Sequence, residues 1–213
     1  MEASPADELR DALEPAGIGE RLRAARHRQG ITVREIARRV GVSPSLISQI
    51  ERQKVNPSVG TLWALVTVLG VPMSDLFSAA PAPGAEPVAV PPPTGPVTAP
   101  ATRPVINLET GVVWERLTAA TDPIVEFLRV TYPPGAASCE PDSLVRHGGK
   151  EYGYVISGRL GVRIGFDEYE LGPGMSVSFD SSAPHRLWAV GDQPAEAIWV
   201  VVGRQNDNRA PLI

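Results

Sequence analysis

Nine of the chain's 22 prolines fall within the 27 residues from 78 to 104, which include Ala80-Pro-Ala-Pro-Gly84 and Val90-Pro-Pro-Pro-Thr-Gly-Pro-Val97. Proline lacks a backbone N–H and fixes φ, so such a stretch favours extended polyproline II over any helix interior or central strand. It reads as a semi-stiff spacer, with a proline-motif ligand for a partner as the alternative. A chain of 213 residues is long for one average domain and comfortable for two. The expected division is therefore a tail at 1–17, rich in Ala, Pro and acids, a first domain at 18–77, the spacer at 78–104, and a second domain at 105–213.

Charge is divided in the same way. Residues 18–77 hold nine cations (Arg21, Arg23, Arg26, Arg28, Arg34, Arg38, Arg39, Arg52 and Lys54) against four acids (Glu20, Glu35, Glu51 and Asp75). That segment carries +5, and with a total of −4 the remainder carries −9. A basic module inside an acidic protein fits a phosphate-binding unit joined to something else. Cys139 is the single cysteine, so no intrachain disulfide forms and a reducing compartment is expected. The acidic N-terminus has no apolar signal region, and no apolar run is long enough to span a bilayer, which together point to a cytoplasmic protein with no membrane contact.

Within 18–77 the periodicity is helical. Ile18, Leu22 and Ala25 share one face of a basic helix ended by Gly30. Thr32 reads as the N-cap of a second helix, with Glu35 completing a capping box and Val33, Ile36, Ala37 and Val40 as its apolar stripe. Gly41 stops that helix. Ser43 and Pro44 then start a third, whose Leu46, Ile47 and Ile50 suit a core while Ser45, Ser48, Gln49 and Arg52 face outward. Such a polar face either reads base edges in a major groove or is simply solvated. Asn56-Pro57-Ser58 opens a fourth helix with Leu62, Leu65, Val66 and Leu69 buried, and a short fifth helix is expected around Met73 to Phe77.

Ser43-Pro-Ser-Leu-Ile-Ser-Gln-Ile-Glu-Arg52, followed by Asn56-Pro-Ser, Thr61-Leu and Leu69-Gly-Val, resembles the helix-turn-helix domain of the Xre/Cro/phage-repressor family. The resemblance covers about residues 18–77 and implies a five-helix, all-α fold in which the helix from Ser43 is the recognition helix. It places Pro44, Ser45 and Gln49 against bases, with Ser43 and Ser48 alongside. Gln49 is the expected reader of adenine, because its amide can serve N6 and N7 together. Thr32, Lys54 and Asn56 are expected at the phosphate backbone. The resemblance also implies a structural ion pair between Arg26 and Glu51.

From Val105 the period shortens. Val112–Leu117, Ile124–Tyr132, Tyr152–Ile156, Arg159–Ile164, Ser176–Phe179, His185–Val190 and Ala197–Val202 are β-rich runs punctuated by Gly, Pro, Asp and Ser, which predicts an all-β sandwich or barrel. His147 and Glu151 share strand parity, unless Gly148-Gly149 makes a bulge, and His185 opens another strand. Two imidazoles and a carboxylate suit Fe(II), and also Zn, Ni or Mn. The alternative is that these side chains bind a ligand through hydrogen bonds, or bind nothing.

His147-Gly-Gly-Lys-Glu-Tyr-Gly-Tyr-Val-Ile-Ser-Gly-Arg-Leu160, with Tyr169-Glu-Leu-Gly-Pro-Gly-Met175 and Phe179-Asp-Ser-Ser-Ala-Pro-His185, resembles the two motifs of the cupin family over about residues 105–203. That implies a double-stranded β-helix barrel with a pocket in its mouth. Metal cupins carry a further histidine two residues before the first, where Val145 stands, and often an asparagine four after the last, where Ala189 stands. One divalent metal on His147, Glu151 and His185 is the expected cofactor.

The combination resembles bacterial transcription regulators in which a cupin senses a small-molecule effector. Double-stranded DNA, an effector and a second copy of the chain are the expected partners. The rival reading is an iron enzyme, since hydroxypropylphosphonate epoxidase also joins such a helical domain to a cupin with a His-x-x-x-Glu…His triad. A metabolite-binding cupin that no longer binds DNA is a third.

Overall fold

Three hydroxyl side chains set where helices begin. In the computed structural model, which describes residues 17–77 and 95–203, Thr32 Oγ1 accepts from the Glu35 N–H at 3.2 Å, Ser43 Oγ from Leu46 N–H at 3.1 Å and Ser58 Oγ from Thr61 N–H at 3.1 Å. Each satisfies a donor that the first helical turn would otherwise leave without a partner. Apart from Gly17, the expected tail lies outside the described residues, as do residues 78–94 of the expected spacer.

The helices are α1 (Ile18–Arg28), α2 (Val33–Val40), α3 (Pro44–Glu51) and α4 (Val59–Leu69). Gly41, at φ +80°, ends α2 in the left-handed conformation that glycine adopts without a Cβ penalty, and so permits the tight turn into α3. Leu22, Ala25, Ile36, Ala37, Ile47, Ile50, Leu62, Leu65 and Leu69 form the shared core. The expected fifth helix is a 3₁₀ turn, Met73–Leu76, and Met73, Leu76 and Phe77 are buried. The capping box at α2 is half formed. Arg38 and Arg39 hold the Glu35 carboxylate at 2.7–3.1 Å instead of its reaching back to Thr32. Those hydrogen bonds lower its pKa to about 2.

The strands are β1 (Val105–Asn107), β2 (Val113–Arg116), β3 (Val125–Tyr132), β4 (Lys150–Ser157), β5 (Leu160–Ile164), β6 (Asp167–Leu171), β7 (Ser176–Asp180), β8 (His185–Ala189) and β9 (Ala195–Val202). They form a six-stranded sheet, β1-β2-β3-β9-β4-β7, and a three-stranded sheet, β6-β5-β8, both antiparallel. On β4, Glu151, Gly153 and Val155 are buried while Lys150, Tyr152, Tyr154 and Ile156 are exposed, the alternation of a half-buried strand. β9 alternates likewise through Ala195, Ala197, Trp199 and Val201. Strand β6 was not legible because its first four residues are all exposed at a sheet edge, and β1 because it has only three.

The helical unit sits on the barrel. The Gly60 N–H donates to Ser138 O at 3.2 Å, and Glu109 N–H to Pro57 O at 2.9 Å. The Arg116 guanidinium lies 5.7 Å from the centre of the Phe77 ring. No helix among the described residues is long and apolar enough to cross a membrane.

Candidate functional site

On α3, Ser43, Pro44 and Ser45 are exposed and Ser48 and Gln49 half-buried, while Ile47 and Ile50 face the core. Gln49 Nε2 donates to Ser45 Oγ at 3.1 Å, which holds the amide along the outer face of the helix. Thr32, Lys54 and Asn56 are also exposed, at the start of α2 and just beyond α3. Behind this face, Arg26 and Glu51 are both 7% exposed and joined fork to fork, Nε to Oε1 at 2.6 Å and Nη2 to Oε2 at 2.8 Å. The pair ties α1 to α3, and Arg26 Nη1 also donates to Ile31 O at 2.8 Å.

Inside the barrel the second constellation comes from two strands and a loop. His147 lies before β4, in the segment that Gly149 bends at φ +100°, and not on the strand itself. Even so, its Nε2 lies 2.9 Å from Glu151 Oε1, and His185 Nε2 lies 3.2 Å from the same oxygen. The two rings meet edge to face with centroids 5.2 Å apart. All three side chains are buried, 3–4% exposed.

The outer hydrogen bonds decide what this cluster can hold. His147 Nδ1 is 2.9 Å from Gly148 O, and His185 Nδ1 is 2.9 Å from Ala183 O. A carbonyl can only accept, so each Nδ1 carries a proton and Nε2 is the ring nitrogen that faces Glu151. Trp199 Nε1 donates to Glu151 Oε2 at 2.6 Å, leaving Oε1 as the oxygen aimed at the imidazoles. Two imidazole nitrogens and a carboxylate oxygen converging in a buried space make a place for a cation, either a metal or protons on the rings. Imidazoles anchored through Nδ1 to backbone carbonyls are the outer-sphere arrangement that metal-binding histidines use. Among the described residues this is the one group of three His, Cys, Asp or Glu whose ligand atoms lie together, all within 4.8 Å. The donor set fits a divalent metal.

Gly153 makes the cluster possible. A Cβ there would fall 2.1 Å from the ring of Trp199, its partner across β4 and β9, so the glycine leaves the space from which Trp199 reaches Glu151. Val145 bridges to His185 through paired backbone hydrogen bonds of 3.0 and 2.8 Å. It lines the cavity with Leu187, and Ala189 is buried on the same strand as Leu187. Tyr132 lines the cavity too, and burial followed by the charge of Glu151 pushes its phenol pKa up, so it stays protonated.

The aromatic wall of the cavity is not legible in the sequence. Trp114, Tyr132 and Trp199 enter from β2, β3 and β9, and Val59 and Trp63 enter from α4. Trp63 stacks on His147 at 4.7 Å between ring centroids and meets Trp114 at 5.9 Å. One signal was available. Trp63 falls off the Leu62–Leu69 stripe, and a large aromatic beside a core stripe asks for a second partner.

Two family models match this chain, each over a different stretch. The Helix-turn-helix family HTH_3 matches residues 22–76, and the Cupin domain family Cupin_2 matches residues 128–201. The HTH-type transcriptional regulator PuuR of Escherichia coli is 29% identical over 169 residues, 78% of this chain and 84% of that protein. An uncharacterized HTH-type transcriptional regulator of Sinorhizobium fredii, y4dJ, is 36% identical over 61 residues, 29% of this chain and 79% of its own length. Among solved structures, an HTH_3 family transcriptional regulator from Vibrio cholerae superposes with a TM-score of 0.59 at 23% identity, covering 87% of this chain and 94% of that one, a likeness of fold.

Proposed function

This chain belongs to the helix-turn-helix transcriptional regulators and carries a cupin domain behind its helical unit, and we propose that it reads an operator through α3 while the barrel senses a small molecule. The observation that carries the DNA half is the face of α3, where Ser43, Pro44, Ser45, Ser48 and Gln49 are outside and Ile47 and Ile50 inside. Gln49 is the base reader, its amide paired to adenine. Thr32, Lys54 and Asn56 hold phosphates and set the register.

The protein acts as a homodimer, which places two copies of α3 in successive major grooves about 34 Å apart. The outer face of the six-stranded sheet supports this, since Phe127, Tyr152, Tyr154 and Ile156 are 36–51% exposed there. An apolar patch of that kind on a sheet face suits a second copy.

In the barrel, His147, Glu151 and His185 hold one divalent metal, of the set Fe, Zn, Ni and Mn. When bound, the metal supplies a Lewis-acid point for an oxygen or nitrogen of the effector. The protein's own part is to aim Nε2 of both histidines and Oε1 of Glu151 inward, fixed by Gly148 O, Ala183 O and Trp199 Nε1.

Sequencing genomic DNA fragments retained by the purified protein tests the regulator reading. The expected result is enrichment of a site with two half-sites, and loss of preference at one adenine in Gln49→Ala, worth about 1–3 kcal/mol. Retention without sequence preference at moderate salt would remove the reading. The enzymatic alternative has one observation in its favour, the two-histidine, one-carboxylate donor set itself. Oxygen consumption by the Fe(II)-loaded protein with candidate substrates tests it, and the regulator reading expects none.

A further inference from the structure

The cavity beside the triad measures about 30 Å³ with the helical unit docked. That is room for a metal ion or about two waters, whereas pockets that hold organic ligands run to roughly 300–1,000 Å³. Most of its wall is barrel strand, but one side is α4, with Trp63 stacked on His147 and Val59 beside it. Strands β3, β4 and β9 pair along their whole length and cannot part without breaking sheet hydrogen bonds. The helical wall meets the barrel through side-chain packing and not through a strand ladder. Its contacts include Trp63 on His147 and Trp114, the Gly60–Ser138 and Glu109–Pro57 hydrogen bonds, and Arg116 over Phe77.

The Arg116 guanidinium is held below its usual pKa first by burial and then by the like charge of Arg21 from α1. A seam of side-chain packing can part without breaking a sheet ladder, which is what a joint between two units requires.

We infer that Trp63 is the gate of the effector cavity: a ligand larger than water enters only when Trp63 leaves His147, so effector binding and undocking of α4 are one equilibrium. This rests on the reading of the barrel as the sensing site. A ligand that fits only the opened cavity binds one of two states, which is the condition for shifting a population. Because α4 is packed in the same core as α3, its release moves the recognition helix relative to the barrel. No contact between effector and DNA-binding face is needed. The apparent affinity of any such ligand is reduced by the fraction of protein that is open.

The geometry offers a lock for the test. A Cβ at Gly60 would lie 3.6 Å from Cβ of Cys139, within the separation a disulfide spans, and Gly60 does not have a left-handed φ. Gly60→Cys therefore clamps α4 to the barrel when oxidised and releases it when reduced, in one protein of one sequence. Full-length wild type, Trp63→Ala and Gly60→Cys are loaded with Co(II). Imidazole, with five heavy atoms, is then titrated against the Co(II) absorption bands, and amide hydrogen exchange is followed over residues 59–69.

Trp63→Ala should bind imidazole at least about tenfold more tightly than wild type, because the closed fraction no longer competes. Oxidised Gly60→Cys should bind it at least about tenfold more weakly than its reduced form. In wild type, imidazole should speed exchange along α4, and in the oxidised protein it should not. Imidazole affinities within about twofold across all forms would overturn the proposal. So would tighter binding to Trp63→Ala with exchange along α4 unchanged by imidazole in wild type, since Trp63 would then be only a wall. Failure of wild type and both variants to take up Co(II) would overturn the metal reading instead, and with it the ligand half of this one.

Discussion

The face of α3 and the triad in the barrel are both recognition chemistry, built in opposite ways. Ser43, Pro44, Ser45 and Gln49 are nearly contiguous in sequence, the first three open to solvent and Gln49 half-buried, and presented by a helix whose own caps hold it. His147, Glu151 and His185 come from a loop and two strands, are buried, and are oriented by Gly148 O, Ala183 O and Trp199. An exposed reader can use plain hydroxyls and amides because water satisfies them until DNA arrives. A buried site must have each lone pair directed, since a misplaced polar atom there has no solvent to fall back on.

The largest expected effect lies behind the exposed face. Arg26→Ala strands the Glu51 carboxylate in the core, and urea unfolding should show a loss of about 3–5 kcal/mol. A loss under about 1 kcal/mol would mean that the fork between α1 and α3 behaves as a surface pair. Next is the barrel. Trp199→Phe keeps an aromatic side chain on β9, shortens the ring that lies over Gly153, and removes the donor to Glu151 Oε2. Divalent metal affinity, measured by competition with a chelator, should fall about 10–100-fold, the usual cost of losing an outer-sphere partner. Unchanged affinity would show that the carboxylate is oriented by something other than Trp199.

The smallest effect is the cap. Ser43→Ala removes the acceptor for Leu46 N–H at the start of α3 and should cost about 1 kcal/mol of stability in thermal or urea unfolding, with Co(II) uptake unaltered. If Ser43→Ala weakened metal binding, or Trp199→Phe changed DNA affinity in the absence of metal and ligand, the two regions would be coupled by more than α4.

What was legible in advance follows this contrast. Helix starts at Thr32, Ser43 and Ser58, the turn at Gly41 and the stripes of α2, α3 and α4 are local signals, each spanning a few residues. Glu35 shows how even local chemistry can be overridden. Its capping partner was correctly placed, but Arg38 and Arg39 lie within reach on the same helix and offer its carboxylate charge-assisted hydrogen bonds. The strands of the buried sheet were legible from their alternation, whereas β6 shows only one buried residue and β1 is too short. Parity sets His147 and Glu151 on one side of a strand unless Gly148-Gly149 makes a bulge. The bend at Gly149 takes His147 off the strand and still returns its ring to Glu151.

By itself the sequence determined a basic helical unit with a capped, outward-facing third helix, a proline-rich stretch between two kinds of periodicity, and three residues with the chemistry of a metal site. Periodicity and capping are written within one or two turns of chain, so one chain is enough to read them. The tertiary structure alone decided that both Nε2 atoms converge on one oxygen of Glu151, that Trp199 selects that oxygen through the gap at Gly153, and that Trp63 of the helical unit closes the barrel over His147. Those contacts join surfaces whose shapes exist only after each unit has folded, and no spacing along the chain encodes how two finished surfaces meet.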